Sequence, residues 1–574
     1  MDWKILVAVI AILLAFGLYQ MCSEDDEAPD WDKKRAEQLA EAEAKARETK
    51  AAKNEDARNF ALEAARKVRG DRPAERTATL ENDDFAAVLS TKGGSLKSFE
   101  LKNSQFVEAP RDWSTGLRDE ETDDLAQVNL VTTNPHYDGN PNFEANAPLR
   151  FEVHEGLDGL LPDADYEIVS QGEDEIVFRY DQPDLPVVIK KKFELDEDSG
   201  PNQIWLTISV RNRSDARVSF LAGVTQTGYQ HESEAGGGLF SRQPNLLQGI
   251  CRHNDSTYAE AWKEMEGPFV GMGKIDFTGV ETNYFISAMI PGDDSPATCR
   301  VASDVVTSDE DPLYGVTRAE LRWGEVTLQP GQQKTFKVKN YIGPKRYQVL
   351  QSVGHDLEES VDFGWFWPIS RGLLWLLFFF QRLVVNWGVA IILLTIVVKL
   401  ALMPLTHKSF KSSDKMKALK PEVDKINEKY KDDPQEKQKQ IMALYKQNKI
   451  NPLGGCIPMV LQMPIWFALF RTLRASPELY HADFFGWITD LSSPDPYFVT
   501  PIVMGAMMFL QQQMMPMAGD NTQAKVMKYF MPIMFTGMML FLPSGLTLYI
   551  LVNTVLSILH QLVIHKMRAR AAAA

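Results

Sequence analysis

Lys399 stands inside the apolar run ILLTIVVKLALMPLT, and an ammonium at that depth in a bilayer costs about 2.5–3.5 kcal/mol on insertion scales. Such a group faces water, a partner or the interior of a helix bundle. On a helix, Thr395 lies one turn before it and Thr406 two turns after, so the three share a face. A second polar stripe recurs every four residues near the C-terminus, at Tyr549, Asn553, Ser557 and Gln561, with His560 adjacent. Gln462 and the run Gln511, Gln512, Gln513 place amides in two further apolar stretches. These residue types donate and accept hydrogen bonds around one positive charge. That is the chemistry of a wet lining that solvates a polar chain, rather than of bond cleavage.

Blander explanations stay open beside this one. Lys399 lies eight residues before His407, about 12 Å by helix rise, and four methylenes can lift its ammonium toward headgroups. The amides at Gln462, Gln512 and Asn553 can equally fasten helices to one another. The apolar runs hold no acidic residue, which argues against a buried ion pair or an acidic proton relay.

Other chemistries find little support. Four cysteines, Cys22, Cys251, Cys299 and Cys456, are far apart without a CxxC pair, so neither a disulfide scaffold nor a familiar zinc site is expected. Cys251 and Cys299 can pair in an oxidising compartment. His231 and Glu232 are neighbours, and adjacent side chains on a strand face opposite sides, so they specify neither a metal site nor a glycosidase. No GxxxxGK[ST] sequence provides a nucleotide site. Ser544 sits in Pro-Ser-Gly rather than GxSxG, a poor start for a serine hydrolase despite His560. No cofactor, no metal and no enzymatic activity are expected.

The elements that must position these residues divide between two solvents. The chain has 574 residues and a formal net charge of −16, but residues 361–574 carry 22 basic and 13 acidic side chains, leaving 39 and 64 for residues 1–360. An acidic, moderately polar first part and a basic, apolar second part exclude a single soluble globule and a nucleic-acid binder working by overall charge. Residues 1–21 are long enough as a helix to span a bilayer, and without a small-residue cleavage site they read as a signal anchor. Segments 384–405, 453–473, 497–515, 527–542 and 545–564 read as five further spans, the last two joined by a Pro/Gly turn at 542–545. Residues 365–382, with Trp and Arg flanks around a short uncharged stretch, read as an amphipathic helix lying in the interface.

Charge sets the orientation. Residues 406–452 hold twelve lysines, and further basic residues flank the later spans through the tail at 565–574, whereas the loop 474–496 holds no Lys or Arg after Arg474 itself. Basic loops stay cytoplasmic, so both termini face inward and residues 22 to about 364 face outward. Of that outer part, 22–79 reads as an Ala/Glu/Lys-rich tether and 80–350 as an all-β sandwich of short strands with turn signals. Within the inner loop, Met416, Leu419, Val423, Ile426 and Tyr430 form one apolar seam. Asp433, Pro434 and Glu436 start a second helix as a capping box, giving an antiparallel hairpin. Its lysines, Lys408, Lys411, Lys415 and Lys417 among them, either dock a ribosome, lipid or incoming chain or form a solvated face.

Several motifs follow in order: YIGPK at 341–345, NWG at 386–388, MPLT at 403–406, NPLGGC at 451–456, LQMPIW at 461–466, DPYFVTPIVMG at 495–505 and FLPSGLTLYILVN at 541–553. Together with the anchor and the outer β domain, they resemble the YidC family of membrane-protein insertases in its Gram-negative form. The resemblance implies a multi-pass inner-membrane protein with six transmembrane helices, a five-helix insertase core and a periplasmic β-supersandwich. It implies a hydrophilic groove closed toward the outside, in which Lys399 takes a position usually held by Arg, Thr395 matches a groove threonine and Tyr549 an aromatic contact. Its implied partners are nascent membrane-protein chains, membrane lipids, the Sec translocon with its accessory subunits and, through the loop and basic tail, the ribosome; no specific nucleic-acid sequence recognition is implied. A secondary transporter and a purely structural assembly factor of membrane complexes are the competing functions.

Overall fold

In the strand Gln203–Asn212, Ile204, Leu206, Ile208 and Val210 are fully buried and alternate with half-buried Trp205, Thr207 and Ser209, the period-two pattern of a sheet with one face on a core. The computed structural model describes residues 73–573 apart from 109–125, 132–146, 158–159, 184, 196–199, 232–245, 293–297, 307–313, 431–432, 449–456 and 515–528. The expected anchor at 1–21, the tether as far as 72, Glu232 and the NPLGGC segment lie outside the described residues.

Gln203–Asn212 is central to a nine-stranded antiparallel sheet. Its order is Ser256–Ala261, Gln248–His253, Ile275–Glu281, Phe285–Pro291, Gln333–Pro344, Gln203–Asn212, Val187–Glu194, Glu175–Tyr180, Glu167–Gln171. A six-stranded sheet is built around the long strand Val218–His231, which pairs with Tyr314–Arg322, Arg150–Glu155 and Val326–Leu328. Residues from both sheets, among them Phe193, Leu206, Val224 and Leu321, share one hydrophobic core. A three-stranded sheet, Thr77–Glu81, Phe85–Ser90 and Ser95–Leu101, adds Leu80, Phe85 and Phe99 to it. His231 is buried at the end of its strand.

Cys251 on a strand of the larger sheet and Cys299 on a strand of the smaller one form a disulfide, both side chains fully buried. The sequence left this pairing open, because strand packing alone brings together residues 48 apart in the chain. Cys299→Ser is expected to lower the stability of the β domain by about 2–5 kcal/mol, with the parent protein falling to the same level under reductant. Chemical unfolding with and without a thiol checks this; identical transitions for parent and variant would remove the cross-link from the stability of the fold.

The helical part begins with α1 (Tyr347–Val353) and α2 (Trp367–Val384). Leu350, Val353 and Phe363, together with Leu374 of α2, pack against Ile250, Phe277, Ile286 and Tyr341 of the large sheet, so the β domain and the first helices share a core. Then follow α3 (Trp387–Ala418), α4 (Lys420–Lys429), α5 (Pro434–Gln447), α6 (Ile457–Arg474), α7 (Val499–Met514), α8 (Met531–Met539) and α9 (Ser544–Ala573). The helix does not stop where the apolar run does at 405: α3, 32 residues long, continues through Pro404 to Ala418. The missing N–H of a proline costs one intrahelical bond without ending the helix. The break comes at Leu419, where Pro421 takes an early position in α4, the place where its lack of N–H is harmless.

The seams of α4 and α5 meet through buried Val423 and Tyr445, flanked by Leu419, Ile441 and Leu444. Asp433 Oδ1 accepts from the backbone N–H groups of Gln435 at 3.1 Å and Glu436 at 3.0 Å. The expected capping box is not closed, since Glu436 instead accepts from Gln440 at 2.8 Å and Lys439 at 3.3 Å. At the Pro/Gly turn before α9, Ser544 donates from both N and Oγ to the Ser493 carbonyl at 2.7 Å, and Gly545 N donates to Leu491 O at 3.0 Å. The loop between α6 and α7 therefore holds the turn in place.

Two stretches among the described residues, Trp387–Pro404 and Ser544–Ile564, are long and apolar enough to cross a membrane. α7 with 16 residues and α8 with 9 fall short because a helix rises about 1.5 Å per residue. Large apolar side chains nevertheless cover the outside of the bundle, including Leu400, Met463, Ile502, Leu510, Ile533 and Leu562. A surface so apolar is unfavourable in water and suits lipid.

Candidate functional site

The bundle has an apolar end and a polar end. Toward the α6–α7 loop, Ile391 and Leu394 of α3, Ala468 and Leu469 of α6, Met504 of α7 and Leu546 of α9 pack with Leu479 and Ile488 of the loop. This end is filled by side chains. One to two turns farther along α3 and α9 the lining becomes polar, because Lys399 on α3 and the four-residue stripe of α9 turn toward each other.

The Lys399 Nζ donates to Asn553 Oδ1 at 3.1 Å and to Ser557 Oγ at 2.5 Å. Both acceptors are neutral. Lys399 and Asn553 are half-buried and Ser557 is buried, so the ammonium is neither free in solvent nor sealed in a core. Gln462 of α6 donates through Nε2 to the Tyr549 hydroxyl at 2.7 Å, which joins α6 to the same face of α9. Tyr549 is buried to 2% exposure among Leu546, Leu548 and their neighbours.

The remaining sequence candidates behave differently. Thr395 is buried and its hydroxyl donates to Ile391 O at 2.6 Å, so it is occupied within its own helix. Thr406 does the same to Leu402 O at 2.9 Å. Gln512 lies on α7, and its Oε1 is buried without a hydrogen-bond partner among the described residues. Gln561 Oε1, one turn beyond Ser557, is in the same condition. Lys408, Lys411, Lys415 and Lys417 all fall on the C-terminal extension of α3. Sequence reading placed Ser557 in a stripe without singling it out as the ammonium's nearest acceptor, and its spacing of four from Asn553 was the available signal.

This arrangement holds a cation among hydroxyl and amide oxygens on the polar side of an apolar plug. Such a lining can offer hydrogen bonds and positive charge to a polar group, and it holds no activated nucleophile among the described residues. Ser544 and His560 occupy one helix sixteen residues apart, about 24 Å by rise, so they do not form a catalytic pair.

Comparison with known proteins agrees with the motifs. Residues 77–376 match the family described as YidC periplasmic domain, and residues 379–571 match the one described as 60Kd inner membrane protein. A protein of Anaeromyxobacter dehalogenans named membrane protein insertase YidC is 35% identical over 492 residues, covering 85% of this chain and 84% of its own length. Its namesake in Geobacter sp. strain M21 is 34% identical, with 86% of both chains covered. A solved structure of an active YidC insertase covers 84% of this chain and 92% of its own, at 18% identity and a TM-score of 0.33. With its two parts matched in order by the two family descriptions and relatives aligned over most of their length, the chain belongs to the YidC family of membrane protein insertases.

Proposed function

We propose that the lining around Lys399 is the groove through which this protein passes the polar tail of a client into and across the inner membrane. The observation that carries the reading is the half-buried ammonium, held between α3 and α9 by neutral oxygens and bordered by an apolar plug on one side. A client's peptide groups lose water on entering hydrocarbon at a cost of several kcal/mol for each unsatisfied group. Lys399, Tyr549, Gln462, Gln512 and Asn553 replace part of that hydration while the client's apolar segment partitions into lipid. Acidic tails gain in addition about 2.3 kcal/mol per charge per 100 mV of membrane potential. No nucleotide is consumed.

In this reading six spans cross the membrane, and the two large sheets form the periplasmic β-supersandwich. The buried Cys251–Cys299 disulfide supports an oxidising, outward location for the β domain, and the twelve lysines of 406–452 support a cytoplasmic hairpin. The hairpin and basic tail are then available to ribosomes and lipid headgroups. In the same reading the Sec translocon with its accessory subunits is a further partner.

The test is reconstitution of the purified protein alone in liposomes, with ribosomes translating a short single-span client whose outward tail is scored by protease protection. Protection well above that of protein-free liposomes is expected. Protection no higher than in empty liposomes, with the protein verified as folded, would make it an assembly factor dependent on other machinery.

A further inference from the structure

The geometry points to Ser557 and Asn553 as positioning residues that fix the depth of the Lys399 ammonium and thereby set the preference of the groove for acidic tails; this rests on the groove reading above. A lysine ammonium has three donors and no acceptor, so any hydroxyl that binds it must offer its oxygen. Ser557 is arranged for this: its own hydrogen has an acceptor in the backbone carbonyl of Asn553, at 2.7 Å, which leaves the oxygen lone pairs facing Nζ at 2.5 Å. Asn553, one turn earlier on α9, presents Oδ1 at 3.1 Å. The ammonium is thus received by two neutral acceptors on the neighbouring helix rather than by its own.

The consequence is positional. An untied lysine extends its stem until the ammonium reaches headgroups and water. Tied to α9, Lys399 stays one to two turns from the apolar plug, and its third N–H has no partner among the described residues. That donor remains for an acceptor on whatever enters the groove. Neither Ser557 nor Asn553 has to touch the client for its loss to change selectivity, since the charge itself moves.

The experiment uses the full-length protein in liposomes and two clients identical except for an acidic or an uncharged tail. The measured quantity is the ratio of acidic-tailed to neutral-tailed insertion. In the Asn553→Ala/Ser557→Ala double variant this ratio is expected to fall about tenfold, the scale of losing hydrogen bonds to a charged group. Ser557→Thr, which keeps the hydroxyl, is expected to retain the parent ratio. Thermal unfolding verifies each variant, and if the double variant does not fold, Ser557→Ala alone is scored by the same ratio.

A ratio that stays at the parent value while Lys399→Ala lowers it would overturn the positioning role and leave the groove reading intact. Equal losses for both clients with the ratio preserved would overturn it too, assigning the pair to packing. A ratio insensitive even to Lys399→Ala would defeat the groove reading itself, and the positioning role with it.

Discussion

Lys399→Glu, expressed at the parent level, is expected to insert an acidic-tailed client about 100-fold more slowly than the parent. The change replaces three donors by acceptors at a point where Asn553 Oδ1 and Ser557 Oγ already present oxygens. It also sets a negative charge against the client's own. Two unit charges 4 Å apart interact by about 4 kcal/mol at an effective dielectric constant near 20, so a 100-fold effect, about 2.8 kcal/mol, needs less than that repulsion. Lys399→Ala removes the attraction without adding repulsion and is expected to cost about tenfold. Lys399→Arg keeps the charge and adds a planar fork suited to two acceptors one turn apart, so most activity is retained. Initial rates of protease-protected client in proteoliposomes separate the three. Normal rates for Glu and Ala alike would remove charge from the mechanism.

Lys345→Met is expected to destabilise the junction between the β domain and the helices by about 3–5 kcal/mol. Lys345 Nζ pairs with Glu281 Oε2 at 2.9 Å, and both side chains are buried. Breaking such a pair strands its partner, here a carboxylate in a low-dielectric site. Burial already holds the Glu281 carboxyl above its usual range, with Lys345 pulling the other way and Asp362 adding to the rise. The sign of the pH dependence follows. A carboxyl whose folded pKa is raised is destabilising once it must ionise, so its contribution is best below the usual carboxylate range and is lost as pH rises. Without Lys345 the rise grows, and the variant is expected to lose more stability relative to the parent at pH 8 than at pH 5. Thermal unfolding of the full chain at the two pH values reads this. A deficit independent of pH would mean that packing, rather than the stranded charge, carries the loss.

The family was legible because its motifs are contiguous in the chain: MPLT, LQMPIW and FLPSGLTLYILVN need no folding to be read. Lys399 was legible for a different reason. One charge in an apolar run is improbable unless something solvates it, and that cost belongs to the residue and its neighbours alone. The alternation in QIWLTISVRN announced a strand by the same local logic, and Asp433-Pro434 announced the start of α5. The apolar run closes at Leu405 but the helix does not, because a proline costs only part of the surrounding hydrogen-bond ladder and α3 passes through Pro404.

What the sequence determined by itself is therefore composition-bound: a division between water and lipid, the turn and cap positions, and a cation that needs a polar setting. Which atoms supply that setting was decided by the tertiary structure. Lys399 and Ser557 are 158 residues apart, and their 2.5 Å contact exists because α3 and α9 pack with these faces together. Cys251 and Cys299 meet because two sheets share a core in one register, and Lys345 meets Glu281 at the end of a third set of strand pairings. A side chain's need for a partner is a local property of its chemistry. The identity of that partner is a property of how distant elements pack, which no spacing along the chain encodes.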